Sequence, residues 1–356
     1  MRQRFATLTA AALMLALLVP VASVSAASAI HVHHGQSIQA AINGAPAGSV
    51  IYVAPGTYQG NLEVARSVHL IGDHVVVVPA AVPTDNFCLT PGFFNGVVGI
   101  CVHGSITTGE PVSNVSIEGF TVRKFGGPGI VALIVDGFRA VGVVTAHNGE
   151  MGMYINMVSN LSLLDNRSYD NGGDGIFLEN LPEGSPSANA VVTGNKSYGN
   201  LGSGIMFLNS VGGRIASNDL HGNCAGILVA AADTGFGTTT SGDVSVQRNQ
   251  VTTNNRLCPA VPFQMPAYGG IGIALIGAQN TTVELNVVRN NRSQAGSDIP
   301  GGGIVLLNGN IFGAAPPTGN SIRSNRLSGN TPYDIYCDGS GTLNSVSGNS
   351  GSHSGC

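Results

Sequence analysis

Apolar and polar residues alternate along much of the chain in short segments with a period of two. Examples are residues 191–193, 244–246 and 282–285, which are rich in β-branched side chains. The repeated part of the chain shows no apolar pattern with a helical period. The alternation therefore predicts many short strands, each with one buried face, separated by turns.

A glycine followed by an aliphatic residue recurs along the chain and marks a repeat. The shortest intervals between these aliphatic anchors are 22 and 23 residues, and longer intervals indicate insertions into the same unit. The anchors are Ile130, Met153, Ile176, Ile205, Ile227, Ile273, Ile304 and, with Asp334 in place of the glycine, Ile335. A unit of this length fits a coil of two or three short strands, and such coils stack along one continuous core.

Pairs of asparagines, spaced five residues apart, accompany the anchors. The pairs are Asn166 and Asn171, Asn195 and Asn200, Asn218 and Asn223, Asn249 and Asn254, Asn286 and Asn291, and Asn325 and Asn330. An inward asparagine at the same place in each coil can hydrogen-bond its counterparts above and below. The spacing therefore predicts buried asparagine ladders.

The N-terminal segments resemble a known superfamily. Residues 37–42 (SIQAAI), where Ser37 can cap a short helix, and residues 50–58 (VIYVAPGTY) resemble the opening cap and first rung of the pectin-lyase-like superfamily. Together with the repeats, the resemblance covers nearly the whole chain after residue 29. It implies an all-β fold, a single-stranded right-handed parallel β-helix (solenoid) with an N-terminal capping helix and about nine or ten rungs. Members include lyases, hydrolases, epimerases and non-catalytic adhesins, so the fold alone selects no reaction.

The beginning of the chain has the three-part layout of a secretory signal peptide. Arg2 and Arg4 precede an apolar run at residues 10–19 and small residues at 24–29. We expect a secreted, extracellular protein, because no later apolar run is long enough to span a membrane. The expected division is a signal peptide at 1–29 and a β-helix at 30–356, with its cap at about 30–60 and its repeats at about 110–340.

All six cysteines follow the signal segment and fall into three neighbouring sets. The sets are Cys88 with Cys101, Cys224 with Cys258, and Cys337 with Cys356. Export favours disulfides, and we predict pairing between neighbours because short loops close at low entropic cost, although six cysteines allow 15 pairings. A zinc site is the alternative, but no C-x-x-C spacing supports it.

The composition narrows the classes of function. Charged residues make up 10% of the chain, glycine occurs 51 times and the net charge is −4. The excess of acidic residues argues against nucleic acid as a partner. Many glycines with few charges suit a repetitive β protein, which we expect to be a monomer.

Alternation along the anchor strands predicts two columns of outward side chains. The columns are Tyr154, Phe177, Met206, Leu228, Ala274 and Val305, and Asn156, Glu179, Leu208, Ala230, Ile276 and Leu307. From Met206 onward both columns are apolar, and the largest insertions lie in the same part of the chain, at 232–242, 257–269, 293–302 and 310–319. We expect these insertions to bury the apolar strip, and a groove walled by them is the alternative.

Four carboxylates on the early coils are the candidate catalytic residues. They are Glu150, Asp170, Asp174 and Glu179. A glycosidase would need two carboxylates across the sugar bond, whereas a lyase would need a base and often calcium held by several carboxylates. Calcium is therefore the cofactor to consider, and we assign no metal site to particular residues. The alternative is that the four are turn residues and solvated strand residues.

Aromatic and basic residues on the same coils are candidate substrate-binding residues. They are Tyr154, Phe177, Tyr169, Tyr198, His221, Arg167 and Lys196. Aromatic faces can stack on sugar rings, and the basic pair would attract an anionic sugar. The alternative for the column of Tyr169, Tyr198 and His221 is that these rings stack on one another.

Residues 169–176 (YDNGGDGI) are similar to a stretch in secreted mannuronan C5-epimerases. In that family an Asp-Pro-His motif one coil earlier carries the catalysis. The matching residues here are Tyr154, Ile155 and Asn156, so the acid and the histidine are both missing. The similarity therefore stops short of the catalytic motif.

Two functions are compatible with these features. The first is a secreted β-helix protein that binds or processes extracellular polysaccharide on its outward face, as a polysaccharide lyase or glycoside hydrolase if it is an enzyme. The alternative is a non-catalytic surface or structural protein whose apolar face binds a protein partner. The superfamily resemblance, the aromatic column and the acidic residues favour the first.

Overall fold

The computed structural model describes residues 29–89, 94–180, 189–233, 235, 240–260 and 265–356. Residues 1–28 of the predicted signal peptide (1–29) lie outside the described residues, and Ala29 is the first described residue. The described chain contains the helix α1 (Ile38–Gly44) and two short 3-10 helices at Phe87–Leu89 and Gly309–Phe312. Among these described residues, no helix is long and apolar enough to cross a membrane.

Short strands account for most of the regular structure, as the alternation predicts. In chain order they are β1 (Ala29–Val32), β2 (Ser49–Val53), β3 (Gly56–Gln59), β4 (Leu62–Val64), β5 (Val68–Val78), β6 (Ile100–His103), β7 (Val112–Arg123), β8 (Ile130–Val141), β9 (Val144–Ala146), β10 (Met153–Ser159), β11 (Ser162–Leu164), β12 (Arg167–Tyr169), β13 (Ile176–Glu179), β14 (Ala190–Thr193), β15 (Lys196–Tyr198), β16 (Ser203–Leu208), β17 (Val211–Ala216), β18 (Asp219–His221), β19 (Ala225–Ala230), β20 (Gly242–Gln247), β21 (Gln250–Thr252), β22 (Leu257–Cys258), β23 (Tyr268–Gly269), β24 (Ile271–Ile276), β25 (Thr282–Glu284), β26 (Val287–Arg289), β27 (Gly302–Leu307), β28 (Ser321–Arg323), β29 (Arg326–Ser328), β30 (Ile335–Cys337), β31 (Ser345–Ser347) and β32 (His353–Ser354).

The strands form three parallel sheets that run along the solenoid. Sheet A comprises β4, β6, β8, β10, β13, β16, β19, β24, β27, β30 and β32. Sheet B comprises β1, β2, β5, β7, β8, β11, β14, β17, β20, β25, β28 and β31, and sheet C comprises β3, β5, β7, β9, β12, β15, β18, β21, β26 and β29. The long strands β5, β7 and β8 each bend and take part in two sheets. The predicted parallel β-helix is confirmed, and only β22 and β23 pair antiparallel among the described strands.

The glycine before each anchor is required by the neighbouring coil. A Cβ atom added to Gly152 would collide with Ser168 Oγ, and one added to Gly175 would collide with Ser197 Oγ. These serine hydroxyls are buried, and Ser168 Oγ donates to the Gly175 carbonyl at 2.7 Å. The glycine therefore lets successive coils stack closely, while the following aliphatic residue enters the core.

The predicted asparagine ladders are confirmed and extend beyond the predicted pairs. One ladder contains Asn166, Asn195, Asn218, Asn249, Asn286, Asn325 and Asn349, and the other contains Asn148, Asn171, Asn200, Asn223, Asn254, Asn291 and Asn330. At each step the Oδ1 atom accepts hydrogen bonds from both the backbone N and the Nδ2 of the asparagine one coil earlier. For Asn195 as acceptor, both distances to Asn166 are 2.9 Å. The ladders thus satisfy buried polar groups along the solenoid.

The corner between sheets B and C has the same length in every coil from β8 onward. Two residues separate β11 from β12, β14 from β15 and β17 from β18, and the later coils are alike. From Asn166 onward the second of these two residues is a ladder asparagine. The long insertions lie instead in the corners on either side of sheet A.

The apolar strip on the outer face of sheet A forms a second core under the insertions. Met206 and Leu208 are only 3% and 9% exposed, and Leu228 and Val305 are fully buried. Tyr268 packs against this strip from the insertion that contains β22 and β23. The prediction that insertions bury the strip is confirmed, and the alternative of an open groove over it is wrong.

Helix α1 and the disulfides secure the ends and the insertions. Ser37 caps α1 by accepting a hydrogen bond from Ala40 N at 3.1 Å, while Ile38 and Ile42 are buried against the first coil. The cysteines form the three predicted disulfides, Cys88–Cys101, Cys224–Cys258 and Cys337–Cys356. The zinc alternative is wrong because no cysteine is free.

Candidate functional site

The candidate residues lie in three places: on sheet A, on sheet C and in the turn between them. Tyr154, Asn156, Phe177 and Glu179 lie together on the outer face of sheet A and form what we call the Tyr154–Glu179 cluster. Tyr169, Tyr198 and His221 lie on the outer face of sheet C and form what we call the aromatic column. The turn that joins sheet C to sheet A carries Glu150, Asp170 and Asp174.

The Tyr154–Glu179 cluster is a hydrogen-bonded group outside the main core. Tyr154 lies on β10 and donates its hydroxyl hydrogen to Glu179 Oε2 on β13, at 2.8 Å. Asn156 Nδ2 donates in turn to the Tyr154 hydroxyl oxygen at 3.2 Å. The alternation along β10 and β13 places all three side chains on the same outward face. A carboxyl group and a phenol are thus joined on two adjacent coils.

Burial alters the acidity of both groups in this cluster. Glu179 is 9% exposed, and burial raises its pKa, although the hydrogen bond from Tyr154 offsets part of that rise. The pKa of Tyr154 is raised well above its usual value by burial and by the nearby charge of Glu179. Tyr154 therefore stays protonated at neutral pH, and Glu179 is the group of this pair that can exchange a proton.

Two phenylalanines enclose the Tyr154 ring. Phe177 on β13 contacts the Tyr154 ring edge-on, with ring centroids 5.4 Å apart. Phe94, from the segment between β5 and β6, also contacts it edge-on, with ring centroids 5.5 Å apart. The repeat pattern indicated Phe177 but not Phe94, which lies in the non-repeated segment between β5 and β6. The repeat pattern does not predict whether a residue outside it points inward or outward. The expected Cys88–Cys101 disulfide was the one sequence feature indicating that this segment packs near sheet A.

A second outward pair on sheet A was also missed. His103 Nε2 lies 3.1 Å from Glu63 Oε1, and the same Glu63 oxygen accepts a hydrogen bond from Phe87 N at 2.9 Å. The rings of Phe87 and His103 stack with centroids 4.5 Å apart. The pair holds the segment before β6 against the sheet, which gives it a structural role.

The aromatic column consists of rings stacked on one another. The ring centroids of Tyr169 and Tyr198 are 5.0 Å apart, and the ring planes are nearly parallel, with an angle of 4° between them. His221 stacks on the other side of Tyr198 at 5.0 Å and 7°. Stacking of the rings on one another is therefore confirmed. The expectation of ring faces open to a sugar is wrong for Tyr198, whose two faces are covered, so a ligand would meet ring edges and polar atoms.

The basic residues beside the column are exposed, and one is held in place. Arg167 Nη2 donates to the Tyr198 hydroxyl oxygen at 3.0 Å, and its guanidinium lies 5.6 Å from the centre of the Tyr169 ring. Lys196 is its register partner on the next coil. The column therefore has a positively charged flank on two adjacent coils.

The four candidate carboxylates are held by different partners. Glu150 Oε1 accepts from Asn95 N at 2.7 Å, and Asp170 lies 3.9 Å from His147 on the surface. Asp174 accepts from Ser203 N in the next coil, and Glu179 belongs to the Tyr154–Glu179 cluster. Within the described residues no hydrogen bond or ion pair joins any two of the four.

A shallow depression lies beside the aromatic column on the turn that leads to sheet A. Its volume is about 500 Å³, and its lining includes His147, Asp170, Leu201 and Arg256. Gly149, Gly172 and Gly199 also line it, so the depression exists where side chains are missing. In the described ranges no group of three or more His, Cys, Asp or Glu side chains converges as a metal site. Calcium binding would thus need ligands of another kind, such as backbone carbonyls.

Stability should depend on pH through Asp174. Burial raises its pKa from 3.8 to about 6, and the hydrogen bond from Ser203 offsets only part of this rise. The folded state therefore binds the proton more tightly than the unfolded chain does. The stabilisation is complete below about pH 4 and is lost as pH rises to about 6, at up to about 1.4 kcal/mol per pH unit.

Urea unfolding of the Asp174→Asn variant at several pH values tests this assignment. The difference in unfolding free energy between the variant and the parent should grow in the variant's favour between pH 4 and 6. Asp170→Asn is the matched control, because it removes an exposed carboxylate from the same turn. Parallel pH curves for the parent and Asp174→Asn would contradict the assignment.

Comparison with known proteins agrees with the geometry of the solenoid. The family described as right handed beta helix region matches residues 93–241 and 185–350. The chain belongs to this family, and the resemblance to pectin-lyase-like proteins read from the sequence is confirmed. A search of curated proteins gives no match.

Several solved structures share the fold at low sequence identity. The A-module of mannuronan C-5 epimerase AlgE6 from Azotobacter vinelandii is 18% identical, with a TM-score of 0.60 over 89% of this chain and 90% of that one. The A-module of AlgE4 from the same organism is 17% identical, with a TM-score of 0.54 over 87% and 90%. DFA-IIIase from Arthrobacter chlorophenolicus A6 is 15% identical, with a TM-score of 0.51 over 85% and 84%. These similarities establish the right-handed β-helix fold and leave the chemistry to be argued from the side chains.

Proposed function

We propose that this protein is exported and binds and processes an extracellular polysaccharide on the outward face of its early coils. The observation that carries the proposal is the Tyr154–Glu179 cluster. A carboxyl group with a raised pKa, joined to a phenol outside the core, is costly to maintain for structure alone and is typical of proton-transfer sites. The epimerase and DFA-IIIase structures with the same fold act on carbohydrates by their names, which supports a carbohydrate here.

The chemistry we propose is β-elimination, as in a polysaccharide lyase: a base removes the C5 proton of a uronate residue, the C4–C5 double bond forms, and the glycosidic oxygen leaves C4 and takes up a proton from water. Glu179 would act as the base, because its raised pKa makes it a stronger base than an exposed carboxylate. Tyr154 would orient Glu179 and donate a hydrogen bond, since the raised pKa keeps the phenol protonated. A glycoside hydrolase would need a second carboxylate across the bond, and in the described structure Glu179 is hydrogen-bonded to a phenol instead.

Turnover of polysaccharides by the purified protein tests this proposal. Neutral and uronate polysaccharides, with and without calcium, are followed by the ultraviolet absorbance of new unsaturated ends and by new reducing ends. Glu179→Gln should lower kcat at least about a hundredfold, since it removes the base while keeping the side-chain shape. Tyr154→Phe should lower it less, because the carboxylate remains.

Two controls separate catalysis from folding in this experiment. Asp174→Asn changes a buried carboxylate in the neighbouring turn and should leave kcat nearly unchanged. An unchanged melting temperature of Glu179→Gln shows that lost turnover is chemical. Retention on a glycan without turnover would reduce the proposal to binding, and equal turnover by the parent and Glu179→Gln would refute the assigned base.

The alternative function is a structural protein that binds a protein partner through an apolar face, and the surface required for that binding is buried. The apolar strip from Met206 onward is covered by the chain's own insertions, as the burial of Leu228 and Val305 shows. A partner could reach this strip only after the insertions had opened. The polar feature on the outer face of sheet A that supports a function is therefore the Tyr154–Glu179 cluster.

A further inference from the structure

The outer face of sheet C collects basic residues on a protein of net negative charge. Its outward positions hold five exposed basic residues, Arg123, Arg167, Lys196, Arg289 and Arg326. Asp219 is the single acidic residue in the β9, β12, β15, β18, β21, β26 and β29 strands of this sheet. We call this surface the basic face. The whole chain has a net charge of −4, so the strands of this sheet carry an excess of positive charge, although the exposed Asp165 and Asp170 adjoin β12 in the neighbouring corners.

The basic residues of this face are available to an external anion. None of the five takes part in an ion pair among the described residues, whereas Arg139 and Arg323 on sheet B pair with Glu118 and Glu284. Arg167 is already oriented by the Tyr198 hydroxyl and the Tyr169 ring. Binding an anion there would cost little side-chain entropy, because the guanidinium is held before the ligand arrives.

We infer that the basic face binds an acidic polysaccharide chain along the solenoid axis, at a surface separate from the Tyr154–Glu179 cluster. This inference rests on the proposed function in one respect, namely that the bound polymer is a polysaccharide. Arg167 and Lys196 are register partners on adjacent coils, which lie about 4.8 Å apart. A row of carboxylates can therefore meet successive basic side chains. Asp219, next to Lys196, limits the most favourable part of the face to these early coils.

The aromatic column favours a sugar chain over a nucleic acid as the occupant. Single-stranded nucleic acids stack their bases on open aromatic faces. Here the faces of Tyr198 are covered by Tyr169 and His221, with centroids 5.0 Å away on each side. The column exposes ring edges, hydroxyl groups and imidazole nitrogens, which suit hydrogen bonding to the hydroxyl groups of a sugar chain.

Binding to polygalacturonate and to its methyl-esterified form tests the inference, because the two polymers share a backbone and differ in charge. Affinity is measured by calorimetry at several salt concentrations with the full protein. The acidic polymer should bind more tightly, with an affinity that falls steeply as salt rises. The double variant Arg167→Gln, Lys196→Gln should weaken its binding at least about tenfold at low salt and flatten the salt dependence.

A matched double variant on sheet B provides the control. Arg139→Gln, Arg323→Gln removes the same charge from exposed ion-paired positions and should change affinity less than about twofold. Tyr198→Phe, which keeps the ring but releases Arg167, should weaken binding about two- to tenfold. Equal effects of the two double variants, or equal binding of the esterified polymer, would overturn the inference, as would tighter binding of single-stranded DNA or of anionic lipid vesicles.

The Glu179→Gln variant distinguishes failure of this inference from failure of the proposed function. The dependence of polygalacturonate binding on Arg167 and Lys196 should persist in this variant, because the basic face lies on sheet C and Glu179 lies on sheet A. Absence of turnover together with binding that depends on Arg167 and Lys196 would leave the basic face intact and refute only catalysis. Turnover that depends on Glu179, with binding indifferent to Arg167 and Lys196, would refute only the basic face.

Discussion

Replacing Asn195 by leucine is expected to lower the free energy of unfolding by at least about 4 kcal/mol. Asn195 Oδ1 accepts hydrogen bonds from Asn166 N and Nδ2, and its own Nδ2 donates to Leu163 O and Asn218 Oδ1. Leucine leaves Asn166 N without its partner and removes one buried hydrogen bond each from Asn166 Nδ2, Leu163 O and Asn218 Oδ1, although Asn218 Oδ1 still accepts from the backbone N of residue 195. Each buried group that loses a hydrogen bond costs about 1–3 kcal/mol when water cannot replace it. Because the penalties share one relaxed neighbourhood, they should not add fully.

Denaturant unfolding measures the effect, and Asn349→Leu is its matched control. Asn349 ends the same ladder, where it accepts from Asn325 and donates to Ile322 O, but it is partly exposed. Water can replace its hydrogen bonds, so the loss should be about 1 kcal/mol. If Asn195→Leu were no more destabilising than Asn349→Leu, the ladder would not be the source of stability assigned to it.

Removing the Cys224–Cys258 disulfide is expected to have the next largest effect. The bond closes a loop of 34 residues, so its loss by Cys224→Ala, Cys258→Ala should lower the free energy of unfolding by about 3–4 kcal/mol. It also frees the insertion that carries Tyr268 over the strip of Met206 and Leu228. Opening of that insertion would expose apolar surface in the otherwise folded protein.

Thermal unfolding and binding of a hydrophobic dye report the two parts of this effect. The double variant should show a lower melting temperature and dye binding below the transition. Cys337→Ala, Cys356→Ala is the control, since it removes a bond with a sequence separation of 19 at the C-terminal end that does not hold the insertion carrying Tyr268. It should lose stability without gaining dye binding. A Cys224→Ala, Cys258→Ala variant that melts like the parent would show that the insertion is held by packing alone.

The repeated features were predictable because the same residues recur at the same positions in successive coils. The asparagine spacing, the glycine and the aliphatic anchor each follow from one local geometry, so a pattern in the sequence maps directly onto the ladders and the core. Burial of the apolar strip was predictable for a related reason, since an apolar surface such as that around Leu228 requires a cover. The insertions were the available cover.

The candidate site was less predictable because its contacts lie outside the repeat. Asn95 reaches Glu150 across 55 residues, and Phe94 covers Tyr154 from the same non-repeated segment. Period-two alternation showed that Tyr154 and Glu179 face outward, but not that they would meet. It also gives no ring orientation, which is why the covered faces of Tyr198 were not foreseen.

The hydrogen-bonding partner of the turn residue Asp174 could not be predicted for a further reason. Asp174 stands between strands, where the alternation does not apply, and its carboxylate is held by Ser203 of the next coil. The aspartate therefore serves the stacking of turns, whereas Glu179, a strand residue, keeps its outward position. The distinction between these two carboxylates comes from backbone geometry and not from residue type.

The corner between sheets B and C has a constant length and the corners around sheet A vary, so the molecule combines a regular frame with an edge that tolerates insertions. Lengthening a corner beside sheet A leaves both asparagine ladders in register, whereas adding one residue between β14 and β15 would displace Asn195 from its stack. Variants of this scaffold can therefore acquire new loops around the Tyr154–Glu179 cluster without disturbing the frame. Libraries of binding proteins could therefore be built by varying the length and sequence of the corners beside sheet A.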